Sequence, residues 1–176
     1  HLPEAEAEYL KCLEFPPVED VYISPMSRCA ETAKILFPDQ EPIVIEEFRE
    51  CDFGYFEGKT YQELIRDPAY KSWVSSGEIK SFPGGENRFD FQTRSIAGFE
   101  KAVRDAVQKN RTSVAMVVHA GTIMSILDAY GFPSRPYIQW NVDNAEGYQI
   151  RLSPEVYLTG QNREIIIDGR IIRSSL

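Results

Sequence analysis

The stretch VAMVVHAGT, residues 114–122, decides the fold. Its first five residues are apolar and three of them are valine, which predicts a buried strand of a parallel or mixed sheet, covered on both faces. A helical pattern follows and ends at Gly131, with an apolar face of Ile123, Ile126, Leu127 and Tyr130. His119 therefore lies where open α/β sheets bind ligands, and the free N–H groups of the helix start favour an anion. The alternative is a core histidine bonded to a neighbouring carbonyl group.

Composition indicates one globular domain and restricts its partners. The chain has 176 residues, 43% of them hydrophobic, which is enough for a sizeable core. No apolar run approaches the roughly 20 residues of a membrane helix, and the acidic first residues do not resemble a signal peptide, so we expect no membrane partner. A net charge of −8 argues against nucleic acid. A small anionic substrate is compatible with it, because a few arginines can dominate one pocket.

The cysteines indicate neither a disulfide framework nor a zinc site. They are three, Cys12, Cys29 and Cys51, scattered singly and without a CxxC spacing. Reduced thiols in a cytoplasmic protein are therefore expected. No other ligand set is visible, so the sequence predicts no metal and no cofactor.

Periodicity and turn residues predict the remaining elements. Helices are expected over residues 2–13, 28–37, 60–66, 68–74 and 88–108, and strands over residues 18–24, 42–48, 147–152 and 156–158. Ser27 and Asn87 are the expected caps of the second and the last of these helices. The segment EIIIDGRIIR, residues 164–173, predicts a β-hairpin with a type I′ turn at its Asp-Gly pair. The order of elements predicts an α/β fold, with a mixed, mostly parallel sheet between helices and an antiparallel carboxyl-terminal hairpin.

Two other regions carry charged residues in unusual settings. Arg28 falls in the first turn of a predicted helix, where a cation opposes the helix dipole unless it holds an anion; the alternative is an exposed surface arginine. Residues 49–58 mix acids with aromatic rings, a setting that raises a carboxyl pKa and suits a general acid. Asp52 and Glu57 can equally be solvated loop charges. Arg94 is either a snorkelling surface residue or a buried partner for a loop carboxylate.

Four segments together resemble a known family. They are SPMSRCAETA (24–33), EFRECDFGYFEG (47–58), FPGGEN (82–87) and VVHAGTI (117–123). In this order they resemble motifs of the histidine phosphatase superfamily, the phosphoglycerate-mutase-like proteins. Within it the sequence is most similar to small bacterial phosphatases of the α-ribazole phosphatase type. The resemblance implies a metal-independent phosphomonoester hydrolase that acts through a phosphohistidine on a small phosphorylated metabolite.

The resemblance also implies roles for particular residues. Glu50 matches the acid that protonates the leaving oxygen and then activates water, and His119 matches the second catalytic histidine. Arg28 matches a phosphate-clamping arginine. The backbone N–H groups near Gly121 and Thr122 would bind a phosphoryl oxygen.

One motif of the family has no counterpart in this sequence. The family opens with a strand ending in Arg-His-Gly, whose histidine is the nucleophile, but His1 is followed by Leu2-Pro3. We therefore interpret residues 1–176 as a single domain that lacks this strand and loop. Either the sequence omits an amino-terminal segment, which we favour, or the protein is an inactive relative, or a partner chain supplies the segment. A relative that binds phosphorylated ligands without turnover, and a mutase-type phosphoryl transferase, are the alternative functions.

Overall fold

The computed structural model describes residues 4–13, 15–76, 81–155 and 164–172. Its helices are α1 (Glu4–Lys11), α2 (Ser27–Leu36), α3 (Tyr61–Leu64), α4 (Pro68–Ser75), α5 (Arg88–Gln108) and α6 (Ala120–Tyr130). Its strands are β1 (Asp20–Ile23), β2 (Ile43–Val44), β3 (Val114–Val117), β4 (Gly131–Phe132), β5 (Gly147–Arg151) and β6 (Ile165–Ile171). Single 3₁₀ turns lie at Glu46–Phe48, Gly54–Phe56 and Tyr137–Trp140.

A parallel sheet in the order β2-β1-β3 forms the centre of the α/β fold, as predicted. Successive residues of β1 point to opposite faces, as the period of a strand requires. Val21 and Ile23 pack with Ala33 of α2, whereas Tyr22 joins a larger core with residues of α5 and α6. Helices therefore pack on both faces of the sheet, which explains the continuous apolar run of β3. The four residues of β3 are half-buried, less than the sequence predicts, and one edge of β3 is unpaired among the described residues.

A second sheet has the order β4-β6-β5 and contains the antiparallel part of the fold. β5 pairs antiparallel with β6, and β4 pairs parallel with it. Among the described residues, β3 pairs with β1 along one edge, and no strand pairs along its other edge.

The predicted hairpin over residues 164–173 is wrong. Residues Ile165–Ile171 form one continuous strand, and its antiparallel partner is β5. Gln149 pairs with Gly169 and Ile150 with Ile167, so Asp168 is the extra residue of a β-bulge. Arg151 donates a hydrogen bond to the Asp168 carboxylate over 2.7 Å. The Asp-Gly pair therefore lies at a bulge within one strand and not at a turn, because the residues on both sides of it pair with β5.

Two further predictions need correction. Ser27 is not a cap: α2 begins at Ser27, and Met26 occupies the cap position without a side-chain bond. The strand expected over 42–48 is reduced to β2 and followed by a 3₁₀ turn. β1 ends at Ile23, whose carbonyl accepts from the Ile45 N–H over 2.9 Å, so β2 has no strand to pair with further on.

The other elements agree with the sequence, with small shifts at their ends. Helix α5 spans the predicted residues 88–108, and the Asn87 side chain accepts a hydrogen bond from the Asp90 N–H over 2.8 Å. Helices α3 and α4 lie within or one residue beyond the predicted 60–66 and 68–74. The short strand expected at 156–158 lies outside the described residues.

Candidate active site

His119 lies between β3 and α6, at the carboxyl edge of the parallel sheet. It is 5% exposed, and its Nε2 lies 2.7 Å from Oγ of Ser24, a fully buried residue that directly follows β1. Its Nδ1 faces the other way, 3.0 Å from Nη2 of Arg28. An arginine can only donate, so Nδ1 accepts and the ring proton of the neutral imidazole is on Nε2. Ser24 Oγ accepts the hydrogen bond from the Nε2–H group.

Arg28 and Glu50 complete a cluster around the imidazole. Arg28 projects from the first turn of α2, and its Nη2 lies 3.3 Å from Oε2 of Glu50. The same Glu50 oxygen lies 3.3 Å from Nδ1 of His119. The three side chains come from distant parts of the chain and meet because β1, β2 and β3 are parallel. Arg28 therefore has a carboxylate partner, which accounts for a cation at this end of a helix.

Burial controls the protonation of both titrating groups in the cluster. Burial, together with smaller effects of the positive charges of Arg28 and Arg94, lowers the pKa of His119 from 6.5 to about 4. Burial raises the pKa of Glu50, against the opposing effects of the Cys51 N–H and the Arg28 guanidinium. A neutral histidine thus faces a carboxyl group that keeps its proton to a higher pH than usual, which is the property of a general acid.

The start of α6 brings Gly121 and Thr122 to the same place. The first intrahelical bond runs from the Ile123 N–H to the His119 carbonyl, so the N–H groups of residues 120–122 have no intrahelical partner. A Cβ added at Gly121 would lie 3.8 Å from Oε1 of Glu50. The Thr122 side chain is fully buried, and its hydroxyl has no hydrogen-bond partner among the described residues.

A scan of the chain against family models decides the relationship. Residues 4–158 match the model of the histidine phosphatase superfamily, branch 1.

The chain belongs to the histidine phosphatase superfamily.

The chain is also similar to one curated protein and to several solved structures. The chain is 26% identical over 147 residues to a Hydrogenobacter thermophilus protein with the provisional name phosphoserine phosphatase 2, covering 78% of this chain and 68% of that protein. The fold is similar to that of α-ribazole phosphatase from Shigella flexneri, with a TM-score of 0.70, 18% identity, and coverage of 97% of this chain and 81% of the other. Phosphoserine phosphatase from Entamoeba histolytica gives a TM-score of 0.69, 19% identity, and coverage of 97% and 82%.

Two other acids of residues 47–58, the segment that carries Glu50, accept hydrogen bonds from nearby backbone N–H groups. An Asp52 oxygen accepts from the Gly54 N–H over 2.9 Å, and a Glu57 oxygen accepts from the Phe53 N–H over 3.0 Å. Both hydrogen bonds are exposed and build the turn around the Gly54–Phe56 3₁₀ segment. These contacts fit the interpretation of Asp52 and Glu57 as loop charges.

Sequence reasoning missed Ser24 and left two interpretations of Arg94 open. Ser24 is the last residue before a proline at the end of a strand parallel to β3, and its N–H bonds to the Val117 carbonyl over 3.1 Å. The pairing of β1 with β3 places the Ser24 hydroxyl beside His119, and this neighbour can be recognised only when the order of the strands is known. Arg94 does pair with a loop carboxylate, that of Glu86, as one of the two interpretations held.

No metal site or membrane segment is evident in the part of the chain that the structure describes. Within it, no group of three or more histidine, cysteine, aspartate or glutamate residues is arranged to hold a metal ion. None of its helices is both long and apolar enough to cross a bilayer.

Proposed function

We propose that this chain carries the acid–base and phosphate-binding residues of a phosphomonoester hydrolase that acts through a phosphohistidine on a small phosphorylated metabolite. The observation that carries the proposal is the convergence of Arg28, Glu50 and His119 within 3.3 Å of one another beside the amino end of α6. A guanidinium, a protonated imidazole and free N–H groups are the donors that stabilise charge on transferring phosphoryl oxygens. Membership of a family of phosphatases supports the same reaction.

Glu50 acts twice in this mechanism. A nucleophilic histidine nitrogen attacks phosphorus, the N–P bond forms, and the P–O bond to the leaving group breaks as Glu50 gives its proton to the leaving oxygen. Water then attacks the phosphohistidine, the Glu50 carboxylate takes a proton from that water, and the N–P bond breaks to release phosphate. The raised pKa of Glu50 suits the first step, because the acid must still hold its proton when substrate binds.

Arg28 has to move when phosphate binds. The Arg28 and His119 nitrogens are 3.0 Å apart, and His119 Nδ1 accepts from Arg28 without a proton of its own. Nδ1 can therefore donate to a phosphoryl oxygen only after the guanidinium has withdrawn and the ring has taken up a proton there, which the negative charge of a bound phosphate favours. The Arg28 side chain is 41% exposed, and among the described residues its guanidinium contacts only Glu50 and His119. The His119 side chain, by contrast, is 3% exposed and is fixed by Ser24. The proposed binding step is therefore an outward movement of the Arg28 guanidinium onto the phosphoryl oxygens, with His119 stationary.

The nucleophile in this proposal comes from outside the sequence. The chain has two histidines, His1 and His119, and neither matches the Arg-His-Gly segment that the family resemblance implies. The open edge of β3, as far as the described residues go, supports a place for that segment. A parallel strand added there would end beside His119 and deliver a histidine to the cluster.

A binding-only relative is the second candidate. What favours it is that both ring nitrogens of His119 are already engaged, by Ser24 and by Arg28. Intact-mass measurement of the protein from its source, followed by acid-labile, base-stable labelling with a phosphate ester, separates the two candidates. Extra amino-terminal residues and a labelled histidine support the hydrolase. Binding of inorganic phosphate without labelling supports the second candidate.

The role of Glu50 is tested by substitution in the protein isolated at its natural length. We expect Glu50→Gln to lower phosphate release from an alkyl phosphate by about 10²- to 10⁴-fold, the usual contribution of a general acid. The loss should be smaller with p-nitrophenyl phosphate, because its leaving group departs without full protonation. Glu46→Gln is the matched control, since Glu46 lies on the same segment and pairs at the surface with Arg49. Equal rates for wild type and Glu50→Gln on both esters would remove Glu50 from the mechanism.

A further inference from the structure

Arg94, in the second turn of α5, uses every donor that its side chain has. Its Nε donates to Glu86 Oε2 over 3.0 Å, and its Nη1 donates to the carbonyls of Glu47 and Arg49 over 2.9 and 2.6 Å. Its Nη2 donates to the Glu50 carbonyl over 3.0 Å and to Glu86 Oε1. A guanidinium has five N–H donors in a rigid fork, and here each has an acceptor.

The acceptors of Arg94 belong to the segment that carries Glu50. Residues 47–50 form the end of the Glu46–Phe48 3₁₀ turn and the two residues after it, and no strand pairs with them among the described residues, so their carbonyls depend on side chains for hydrogen bonds. Three of those carbonyls, including that of Glu50 itself, converge on one guanidinium. The conformation of the main chain at Glu50 is thereby tied to helix α5.

Glu86 extends the same arrangement to the other side of Glu50. One of its carboxylate oxygens accepts from the Asp52 N–H over 2.9 Å while it also binds Arg94. Close backbone packing reinforces the contact, because a Cβ built at Gly85 would lie 2.3 Å from the Asp52 carbonyl oxygen. The backbone is therefore held before and after Glu50.

We propose that Arg94 is a positioning residue that orients the Glu50 carboxyl toward His119 and Arg28 by holding its main chain. Arg94 acts through the backbone, and the structure shows no bond between its guanidinium and the Glu50 carboxylate. Lysine cannot replace it, because one ammonium group cannot reach three carbonyls and a carboxylate in the directions of a planar fork. The kinetic consequence of this role rests on the proposed function, but the orientation of Glu50 does not.

The test is a titration of the Glu50 side-chain carboxyl by ¹³C NMR, with the resonance assigned from its absence in Glu50→Gln. Because Arg94→Lys keeps the positive charge, we expect a change only if geometry matters. The freed segment should become hydrated, so that the pKa of Glu50 falls from its raised value toward the ordinary carboxyl range. Glu86→Gln, which weakens the same arrangement without touching Arg94, should shift the Glu50 pKa in the same direction by a smaller amount.

Two controls separate positioning from general stability. Arg104→Lys changes an exposed arginine on the same helix, and Val103→Ala destabilises that helix at a buried position nine residues beyond Arg94. Neither should alter the Glu50 titration. In the active protein, Arg94→Lys should lower kcat by about 100-fold, the scale expected for a misplaced catalytic group.

The outcomes distinguish this inference from the proposed function. A Glu50 titration that is the same in wild type and Arg94→Lys overturns the positioning role, whatever happens to the melting temperature. A shifted titration in a protein that hydrolyses no phosphate ester supports the positioning role and counts against the hydrolase.

Discussion

The buried neutral state of His119 predicts that acid destabilises the protein in a defined pH window. The pKa of His119 is about 4 in the folded protein, against 6.5 for the free side chain. Below pH 6.5 His119 takes up a proton in the unfolded chain but stays neutral in the folded protein, so the free energy of unfolding falls as the pH falls. The stabilisation is complete above the unfolded pKa and is lost progressively between 6.5 and 4.

The size of the effect follows from these two pKa values. One pKa unit corresponds to roughly 1.4 kcal/mol, so the full difference amounts to about 3 kcal/mol. Between about pH 8 and about pH 4.5 the loss is about 2.5 kcal/mol. Asp67 and Asp105 have a lowered pKa in the folded protein, and the stabilisation that they contribute is lost mainly below pH 4, as they become protonated. Glu50 acts in the opposite direction, because its pKa is raised in the folded protein and its protonation therefore stabilises the folded state as the pH falls toward the ordinary carboxyl pKa of 4.5.

Urea unfolding at half-unit pH steps measures the effect, with His119→Gln as the reference. Glutamine is neutral throughout, so the variant should show a flatter dependence of the unfolding free energy on pH even where its absolute stability is lower. His1 is present in both proteins and cancels in the comparison. Parallel curves for wild type and His119→Gln across the window would refute the argument, because they would mean that His119 takes up its proton equally in both states.

Two further predictions concern single groups around the site. Ser24→Ala should lower the free energy of unfolding by about 1–3 kcal/mol, because it removes the hydroxyl that accepts from the buried His119 Nε2–H. Ser95→Ala is the control and should cost almost nothing, because the Ser95 hydroxyl is buried and has no partner among the described residues. Chemical denaturation compares the two variants, and equal losses would contradict the assigned hydrogen bond. Gly85→Ala should destabilise the protein by about 1–3 kcal/mol, because the added Cβ would meet backbone atoms at 2.3 and 2.7 Å. Gly147→Ala should be tolerated, because the nearest atom to its Cβ is 4.0 Å away. An unchanged melting temperature in Gly85→Ala would disprove the close contact.

Local patterns were sufficient where one element alone determines the structure. The apolar run before His119, the stop at Gly131 and the cap at Asn87 each depend on a few neighbouring residues, and the structure has all three. The Asp-Gly pair at residues 168 and 169 shows the limit of such patterns. Its turn propensity is real, but whether it makes a hairpin or a bulge depends on which strand lies alongside, and that is a property of the fold.

The candidate site depends on a different kind of information. Arg28, Glu50 and His119 could be named from the family resemblance, but their interactions depend on residues that carry no local signal. Ser24 matters because its strand is parallel to β3, and Arg94 matters because three carbonyls happen to face one helix. An arginine on the apolar side of an amphipathic helix is the only trace of that second arrangement in the sequence. A partly buried arginine needs acceptors for its five donors, so its presence on this side of α5 indicates that backbone with unpaired carbonyls packs against the helix there. In this protein that backbone carries Glu50 and lies beside the sheet edge, where the position of a site residue depends on such hydrogen bonds.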